Sequence, residues 1–402
     1  LIRVIDASKT IVVTAIGVVS PYGAGLAALQ DGMLAGRCCL ASGAELYPGF
    51  HGSVAQVLDL PPLLDGHHYS RTDRLATLAA RDAVGSLMGS NLLRQSGIVM
   101  ASTVAGLSEI DPEIARDPAE WYRHGGLSRA ASYSVSRVAA AVGEQLGIQG
   151  PACTVSVACA SGAMAIALAA NMLLDDAAPM VLAGGSDALC PFTLSGFNSL
   201  QALDPELCRP FDQNRKGLNI GEGAALLALE TLEHATRRGA PVLAVLRGWA
   251  MNNDASHPTA PHKEGAGLAA CIGNALEMAA CGVDEVGYVN AHGTGTPLND
   301  IAETHAYENA FANRSTPIPV SSTKSYFGHC LGAAGALEAA ITILAMRYGA
   351  LFPTLRLSEP IESARVDWLK DAVRRVPLPL AMSVSAGFGG SNAALVFGEM
   401  QP

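Results

Sequence analysis

The run AMAIALAANMLL (163–174) carries a single polar side chain, Asn171. A helix apolar nearly all the way round is stable in water only where neighbours cover it on several sides. The stretch before it, TVSVACASG (154–162), is β-rich and reads as a buried strand ending in small residues. A later segment, PVSSTKSYFGHCLGAAGALEAAITILAM (319–346), has the same plan of strand, loop and small-residue helix. Two such units demand a fold with close helix packing against buried sheets.

Strand-like and helical runs alternate along the chain. KTIVVTAIGVV (9–19), GIVMAST (97–103), MVLAGGSDA (180–188) and PVLAVLRGWAMNN (241–253) read as strands, LAALQDGMLAG (26–36) as a helix. EGAALLALETLEHA (222–235) runs from strand to helix. Such alternation argues for an α/β fold. Weak internal similarity adds duplication: VGYVNAHGTGTP (286–297) is matched with VVTAIGVVSPYG (12–23), and AMSVSAGFGGSNAALVF (381–397) with the region of 180–188. Two halves are expected, 9–250 and 251–402, forming one compact unit because no low-complexity linker separates them. Segment 104–135 fits neither half, and its Trp121, Tyr122, Arg123 and His124 are expected to cap a pocket.

Of the 402 residues half are hydrophobic and 15% charged, yet no apolar run is long and unbroken enough for a membrane span. The first residues, LIRVIDASKTIVVTAIG, lack the basic region, unbroken apolar core and cleavage site of a signal peptide. A net charge of −10 without a basic block makes nucleic-acid binding a poor fit. Nine cysteines, with no C-x-x-C spacing, suggest neither a zinc site nor a disulfide framework, so a reducing cytoplasm is the default.

Four segments place reactive or glycine-rich residues just after β-rich runs, at the carboxyl ends of strands where open α/β sheets build sites. Cys159 stands at the strand-to-helix junction, beside unpaired helix N–H groups and the positive dipole end, which favour thiolate over thiol. The small Ala158, Ala160, Ser161 and Gly162 allow a sharp turn there, the layout of a nucleophile elbow. A lone cysteine is more often plain core. His292 lies in NAHGTGTPLND (290–300) and His329 in KSYFGHCLGAAG (324–335). Each could be a hydrogen-bonded structural histidine, or a donor aimed at a reacting group. Lys324 and Glu338 could form an ion pair, and AGFGGSN (386–392) could be a turn or could present a backbone N–H to an oxyanion.

Taken together, VACASG (157–162), NAHGTGTPLND, KSYFGHCLGAAG and GFGGSN (387–392) form one ordered set. With RPFDQNRKGLNIGEGAA (209–225) and NNDASHPTAP (252–261), they make the chain resemble the β-ketoacyl-acyl-carrier-protein synthases over nearly its whole length. These are condensing enzymes of the thiolase superfamily, here in the subgroup with a Cys–His–His triad. The resemblance implies a thiolase-like α/β fold: duplicated βαβαβαββ halves forming a five-layered α-β-α-β-α core. It implies an acyltransferase that joins an acyl primer to malonyl-acyl-carrier protein with loss of carbon dioxide, in fatty-acid or type II polyketide or polyene synthesis.

The implied roles are a Cys159 nucleophile, His292 and His329 as donors to the malonyl thioester, and Lys324 supporting His329. Backbone N–H groups of Cys159 and Phe388 would hold the oxyanion. Glu338 would tie the loop to its helix, and Thr294 and Thr296 would bond phosphopantetheine. Phe388, between Gly387 and Gly389, would be a mobile gate. No metal or other bound cofactor is implied, since the substrates ride on the phosphopantetheine of acyl carrier protein. A homodimer, or a heterodimer with a chain-length factor homologue, is expected, with no nucleic-acid or membrane partner.

Within the superfamily, a thiolase would need a second cysteine in AGFGGSN, which has none. A starter-type synthase would show a His–Asn pair, and a chain-length factor would lack the nucleophile; a non-catalytic acyl-carrier scaffold is argued against by the complete triad. Lys216, Leu218-Asn219, Pro258, the short connection from Leu203 to Arg209 and the N-terminal LIRVIDAS depart from the family pattern and lean towards a specialised pathway. Arg71 with Arg74, or Arg123 with Arg129, could form the basic patch that an acidic carrier protein needs.

Overall fold

The computed structural model describes residues 9–44, 46–47, 50–61, 63, 69–109, 116–123 and 134–400. In chain order its principal strands are β1 (Ile11–Ser20), β2 (Gly97–Ala101), β3 (Ala152–Val155), β4 (Met180–Asp187), β5 (Gly223–Thr231), β6 (Ala244–Asn253), β7 (Tyr288–Asn290), β8 (Ile318–Ser321), β9 (Val366–Trp368), β10 (Leu380–Gly387) and β11 (Ser391–Gly398). They hydrogen-bond in the order β9-β8-β7-β10-β11-β6-β1-β5-β4-β2-β3. From β1 outward to β3, the strands run first, fifth, fourth, second, third in chain order. From β6 outward to β8 they do the same, and β9 is added at the edge. In each half the second strand lies parallel to the third and fourth, while the fourth and fifth, and the fifth and first, are antiparallel.

The layers are filled by α1 (Arg71–Val84), α2 (Ser161–Leu174), α3 (Pro191–Ser199), α4 (Ala266–Met278), α5 (Pro297–Ala310) and α6 (Ala334–Tyr348). Helix α1 packs on β1, β5 and β4, and α4 covers β6 and β11 with α5 against it. Helices α2 and α6 lie together between the two sets of strands, which gives the five alternating layers. The start of α1 is fixed by a capping box in which Ser70 Oγ accepts from Asp73 N–H at 3.1 Å and Asp73 accepts from Ser70 N–H at 3.0 Å.

Small residues let the two central helices meet backbone to backbone. A Cβ on Gly162 would sit 2.6 Å from the Ala336 nitrogen, and one on Gly335 would sit 2.6 Å from the Ala163 nitrogen. The contact is reciprocal, each helix offering a glycine to the other, and larger residues would force them apart. The apolar run that ends in α6 (331–348) is 89% buried within the protein, so its hydropathy reflects a core position.

Two sequence expectations shift. By strand order, the counterpart of β1 is β6 rather than the segment 286–297, whose strand β7 matches β2. Residue 250 lies inside β6, a strand that pairs with both β1 and β11. Repeats in strand order are set by tertiary pairing, which loop composition alone does not reveal. Half of the proposed cap lies outside the described residues, His124 and Arg129 included. Trp121, Tyr122 and Arg123 fall on a short helix, Pro118–Arg123, and Tyr122 is exposed.

Candidate active site

Strand β3 ends at Val155, and the chain reaches α2 through an abrupt bend at Ala158, which takes a left-handed φ of 52°. That conformation costs an alanine about 1–2 kcal/mol and persists only where neighbours hold it. Ser161 does so, donating from Oγ to the Ala158 carbonyl at 2.5 Å while accepting from Val157 N–H at 2.8 Å. Cys159 is thereby set immediately before α2, buried with 8% of its surface exposed. Burial pushes its thiol up from 9.0 to about 12, despite the downward pull of Lys324 and of the Phe388 backbone hydrogen bond. The thiolate expected from the helix end is therefore not the resting state. A helix terminus contributes about 0.3–1 kcal/mol, less than one pKa unit, against a larger desolvation cost.

His292 follows β7 and His329 follows β8, and the parallel pairing of those strands brings the two loops together. The donor atoms of Cys159, His292 and His329 all lie within 4.8 Å of one another. Each ring's tautomer is fixed from behind. Lys324 Nζ, which can only donate, lies 3.3 Å from His292 Nδ1. The Leu331 N–H donates to His329 Nδ1 at 3.2 Å. Both Nδ1 atoms are acceptors, so both Nε2 atoms carry the proton. His329 Nε2 is buried and has no hydrogen-bond partner, a donor left facing the thiol. Burial, reinforced by the charge of Lys324, holds both imidazoles well below 6.5, so both are neutral. Two Nε2–H groups and an adjacent ammonium suit an incoming anion better than a metal cation.

Lys324 itself is buried, ion-paired with Glu338 and bonded to the His292 carbonyl at 2.5 Å. Its hydrogen bonds go to His292 and Glu338, and it acts on His329 through its charge. Glu338 lies on α6 and pairs with Lys324 of this loop, and burial raises its carboxyl despite the pull of Lys324.

Cys159 stands where two cavities meet. One, of about 380 Å³, reaches outward past His329, Thr294, Thr296 and His257. The other, of about 430 Å³, runs behind Phe388 along α3. The Phe388 ring lies between them, its centroid 5.6 Å from that of Phe197. The Phe388 backbone N–H is hydrogen-bonded to the Cys159 sulfur. A Cβ on Gly387 would lie 3.1 Å from both the Cys159 and Ala160 nitrogens, so the approach of this loop to the elbow needs glycine. Gly389 has φ 80° and open space around it, and its N–H is held by the Pro258 carbonyl at 2.7 Å. Thr294 and Thr296 have their hydroxyls 2.9 Å apart on the wall of the outer cavity.

Family models described as "Beta-ketoacyl synthase, N-terminal domain" and "Beta-ketoacyl synthase, C-terminal domain" match residues 8–235 and 243–358. The chain belongs to the β-ketoacyl synthase family. It is 33% identical to the chloroplastic 3-oxoacyl-[acyl-carrier-protein] synthase I of Arabidopsis thaliana, across 100% of this chain and 89% of that one. It is 34% identical to the tetracenomycin polyketide synthase ketoacyl synthase alpha subunit of Streptomyces glaucescens, across 97% of each. Among solved structures, the ishigamide ketosynthase/chain length factor superposes with a TM-score of 0.90 at 29% identity, covering 98% of this chain and 99% of that one. This is an acyltransferase-type enzyme with a thiolase-like fold.

Asp187 and Glu303, which hold the synthase site in shape, gave no sequence signal. Asp187, at the end of β4, accepts from Thr103 N–H at 3.0 Å, Val104 N–H at 2.9 Å and Gly332 N–H at 2.7 Å, fastening the His329 loop to the first half. Glu303 on α5 accepts from the N–H groups of His292 and Gly293, both at 2.7 Å. Asn219, one of the departures, bonds Cys208 N–H at 2.7 Å while its carbonyl accepts from His329 N–H at 2.8 Å. Of the docking candidates, Arg71 is ion-paired with Glu222, whereas Arg74 donates to the carbonyls of Leu60 and Pro61, which are neutral and leave its charge uncompensated by those bonds. Val104 and Leu107 of the expected cap do line the inner cavity.

Proposed function

We propose that the site performs decarboxylative condensation of an acyl thioester with malonyl-acyl-carrier protein, giving a 3-ketoacyl product two carbons longer. The observation that carries this is the convergence of two Nε2–H donors on a buried thiol at the meeting point of two cavities. In the first step the Cys159 sulfur attacks the acyl carbonyl; a new C–S bond forms, the old one breaks, and the thiol proton ends on the released carrier thiol. The N–H groups of Cys159 and Phe388 stabilise the tetrahedral oxyanion. In the second, the malonyl thioester oxygen receives the donors of His292 and His329 while carbon dioxide leaves. The electron pair of the broken C–C bond becomes an enolate, its carbon displaces Cys159 from the acyl group, and the departing thiolate takes up one proton from solvent to restore the resting thiol.

Lys324 and Glu338 position His292 in this reading, Thr294 and Thr296 bond the pantetheine arm, and Phe388 swings about Gly387 and Gly389 to join the two cavities. No metal is required to bear the enolate charge. The substrates arrive on acyl carrier protein in the cytoplasm. The halves expected as 9–250 and 251–402 form the catalytic unit, with their junction moved to the loop ahead of β6. Phe192 and Leu200, 64% and 52% exposed at the inner cavity, support a covering second subunit. That subunit is a second copy or a chain-length factor homologue, as in the ishigamide ketosynthase/chain length factor.

Separate assays of the partial reactions test the roles. His292→Ala or His329→Ala should cut malonyl decarboxylation by about 10²–10³-fold while acyl transfer to Cys159 persists. A loss confined to acyl transfer would reverse the assignment.

A further inference from the structure

The two histidine rings are held by unequal means. Behind His292 stands a charged side chain, Lys324, itself paired with Glu338. Behind His329 the bond to Nδ1 comes from a main-chain N–H, that of Leu331 at 3.2 Å. That N–H points back at a ring two residues earlier in the chain, and Leu331 is left-handed there, with φ 52°. A leucine resists this conformation and keeps it only where neighbours impose it.

The constraint comes from the other half of the molecule. Gly332 N–H, in the peptide unit after the bend, donates to Asp187 Oδ2 at 2.7 Å. A right-handed Leu331 would turn the peptide units on its two sides relative to one another, so the N–H groups of Leu331 and Gly332 could not both keep their acceptors. Strand β4 reaches this turn because side chains are missing on both sides. A Cβ on Gly185 would lie 2.7 Å from the Gly332 carbonyl oxygen, and one on Gly332 would lie 2.8 Å from Asp187 Oδ2. The fully buried carboxylate is anchored in turn by Ser102 Oγ at 2.6 Å, Thr103 Oγ1 at 2.7 Å and the N–H groups of Thr103 and Val104 at 3.0 and 2.9 Å. All five donors are uncharged, and together they fill the lone pairs of the two oxygens.

We infer that Asp187 is a positioning residue for malonyl decarboxylation: it holds the left-handed turn at Leu331–Gly332, which keeps the Leu331 N–H on His329 Nδ1 and the proton of that ring on Nε2. This rests on the decarboxylation reading above. Without the turn, Nδ1 loses its donor, either ring nitrogen can carry the proton, and the ring is free to rotate away from the malonyl oxygen. A donor displaced by about 1 Å costs up to about a hundredfold in rate. Acyl loading is affected in the opposite sense, because the negative charge of Asp187 opposes thiolate formation at Cys159.

The test measures both partial reactions and the ring itself. In Asp187→Ala, carbon dioxide release from malonyl-carrier protein should fall about tenfold to a hundredfold, mainly in kcat, while octanoyl loading of Cys159, followed by intact-protein mass spectrometry, is not slowed. Nuclear magnetic resonance of histidine labelled at the ring nitrogens identifies His329 by the signals missing from His329→Asn. Those signals should place the proton on Nε2 in the unmodified enzyme and show both tautomers in Asp187→Ala, a change that packing alone would not produce. Where Asp187→Ala no longer loads, Asp187→Asn replaces it, filling the same space with one acceptor oxygen, and the same split is expected at smaller size. Undiminished decarboxylation, an unchanged tautomer, or equal loss of loading and decarboxylation in both variants overturns the inference. If the unmodified enzyme itself releases no carbon dioxide from malonyl-carrier protein, the decarboxylation reading fails, and the tautomer comparison still decides whether Asp187 holds the ring.

Discussion

Helices α2 and α6 occupy matching places in the two halves yet carry opposite chemistry. Each is preceded, three residues ahead of its first turn, by a left-handed non-glycine residue, Ala158 and Leu331, both with φ 52°. Each has a glycine in its first turn against the other helix. After the bend the first half places Cys159, while the second places Gly332, whose N–H is bound to Asp187. No charged residue lies on α2, whereas α6 bears Glu338 paired with Lys324. One bend thus presents a thiol and the other frames the His329 loop. The fold supplies the place twice, and the side chains divide the labour.

The comparison is sharpened most by the Cys159 thiol itself. If burial outweighs the helix end, its alkylation by iodoacetamide should rise about tenfold per pH unit, roughly a thousandfold from pH 7 to 10, without a plateau. The value of about 12 sets that range. A plateau at or below pH 8.5 would mean that the start of α2 stabilises the thiolate after all. Next in size is the buried pair beside α6. Lys324→Met should cost about 3–5 kcal/mol in urea unfolding, because Glu338 is left without its partner. Lys324→Met with Glu338→Leu should recover much of that, and on uncharged α2 Met164→Leu should cost less than about 1.5 kcal/mol. Equal losses at α2 and α6 would erase the distinction.

A smaller effect comes from the histidines. Their folded pKa values lie well below the 6.5 of the free ring. Above pH 6.5 both states are neutral and nothing is lost. As pH falls below 6.5 the unfolded chain takes up protons that the folded one refuses, and stability drops by about 1.4 kcal/mol per pH unit per histidine. Burial raises Glu303 and Glu338 to about 7, which acts in the opposite sense as pH falls. The measurement is therefore differential. The stability of the unmodified enzyme minus that of His329→Asn should fall by about 1 kcal/mol from pH 6.5 to 5.5, since the unfolded ring is already half protonated at 6.5, and a constant difference would contradict the neutral assignment. Least of all, Thr294→Val should raise KM for the carrier-bound substrate several-fold with kcat nearly unchanged, by removing one hydrogen bond to the pantetheine arm.

Much of this is legible in the sequence because it depends on local pattern. The apolar 163–174 run has to be a covered helix, and the small residues around Cys159 have to permit a bend. The loops bearing His292, His329 and Phe388 do follow strands. What stays hidden depends on which loops meet. Lys324 is closer in sequence to His329 than to His292, yet the parallel pairing of β7 and β8 sets it behind His292. Asp187 and Glu303 look like ordinary strand-end and helix acids until folding surrounds them with backbone N–H groups. The thiol's resting protonation is hidden for a similar reason: a helix start is visible in sequence, while the depth of its burial is not.

The central claim is that Cys159 carries the acyl group that the two histidines then put to use. A single-turnover experiment tests it directly. The enzyme is loaded with octanoyl thioester, freed of excess, and mixed with malonyl-carrier protein labelled at the free carboxyl. One octanoyl group, a mass gain of about 126 Da, should sit on Cys159 before mixing. It should then be lost in step with the release of one labelled carbon dioxide and the appearance of one 3-oxodecanoyl chain. Carbon dioxide and product formed with no acyl group on Cys159, or undiminished in Cys159→Ala, would contradict it.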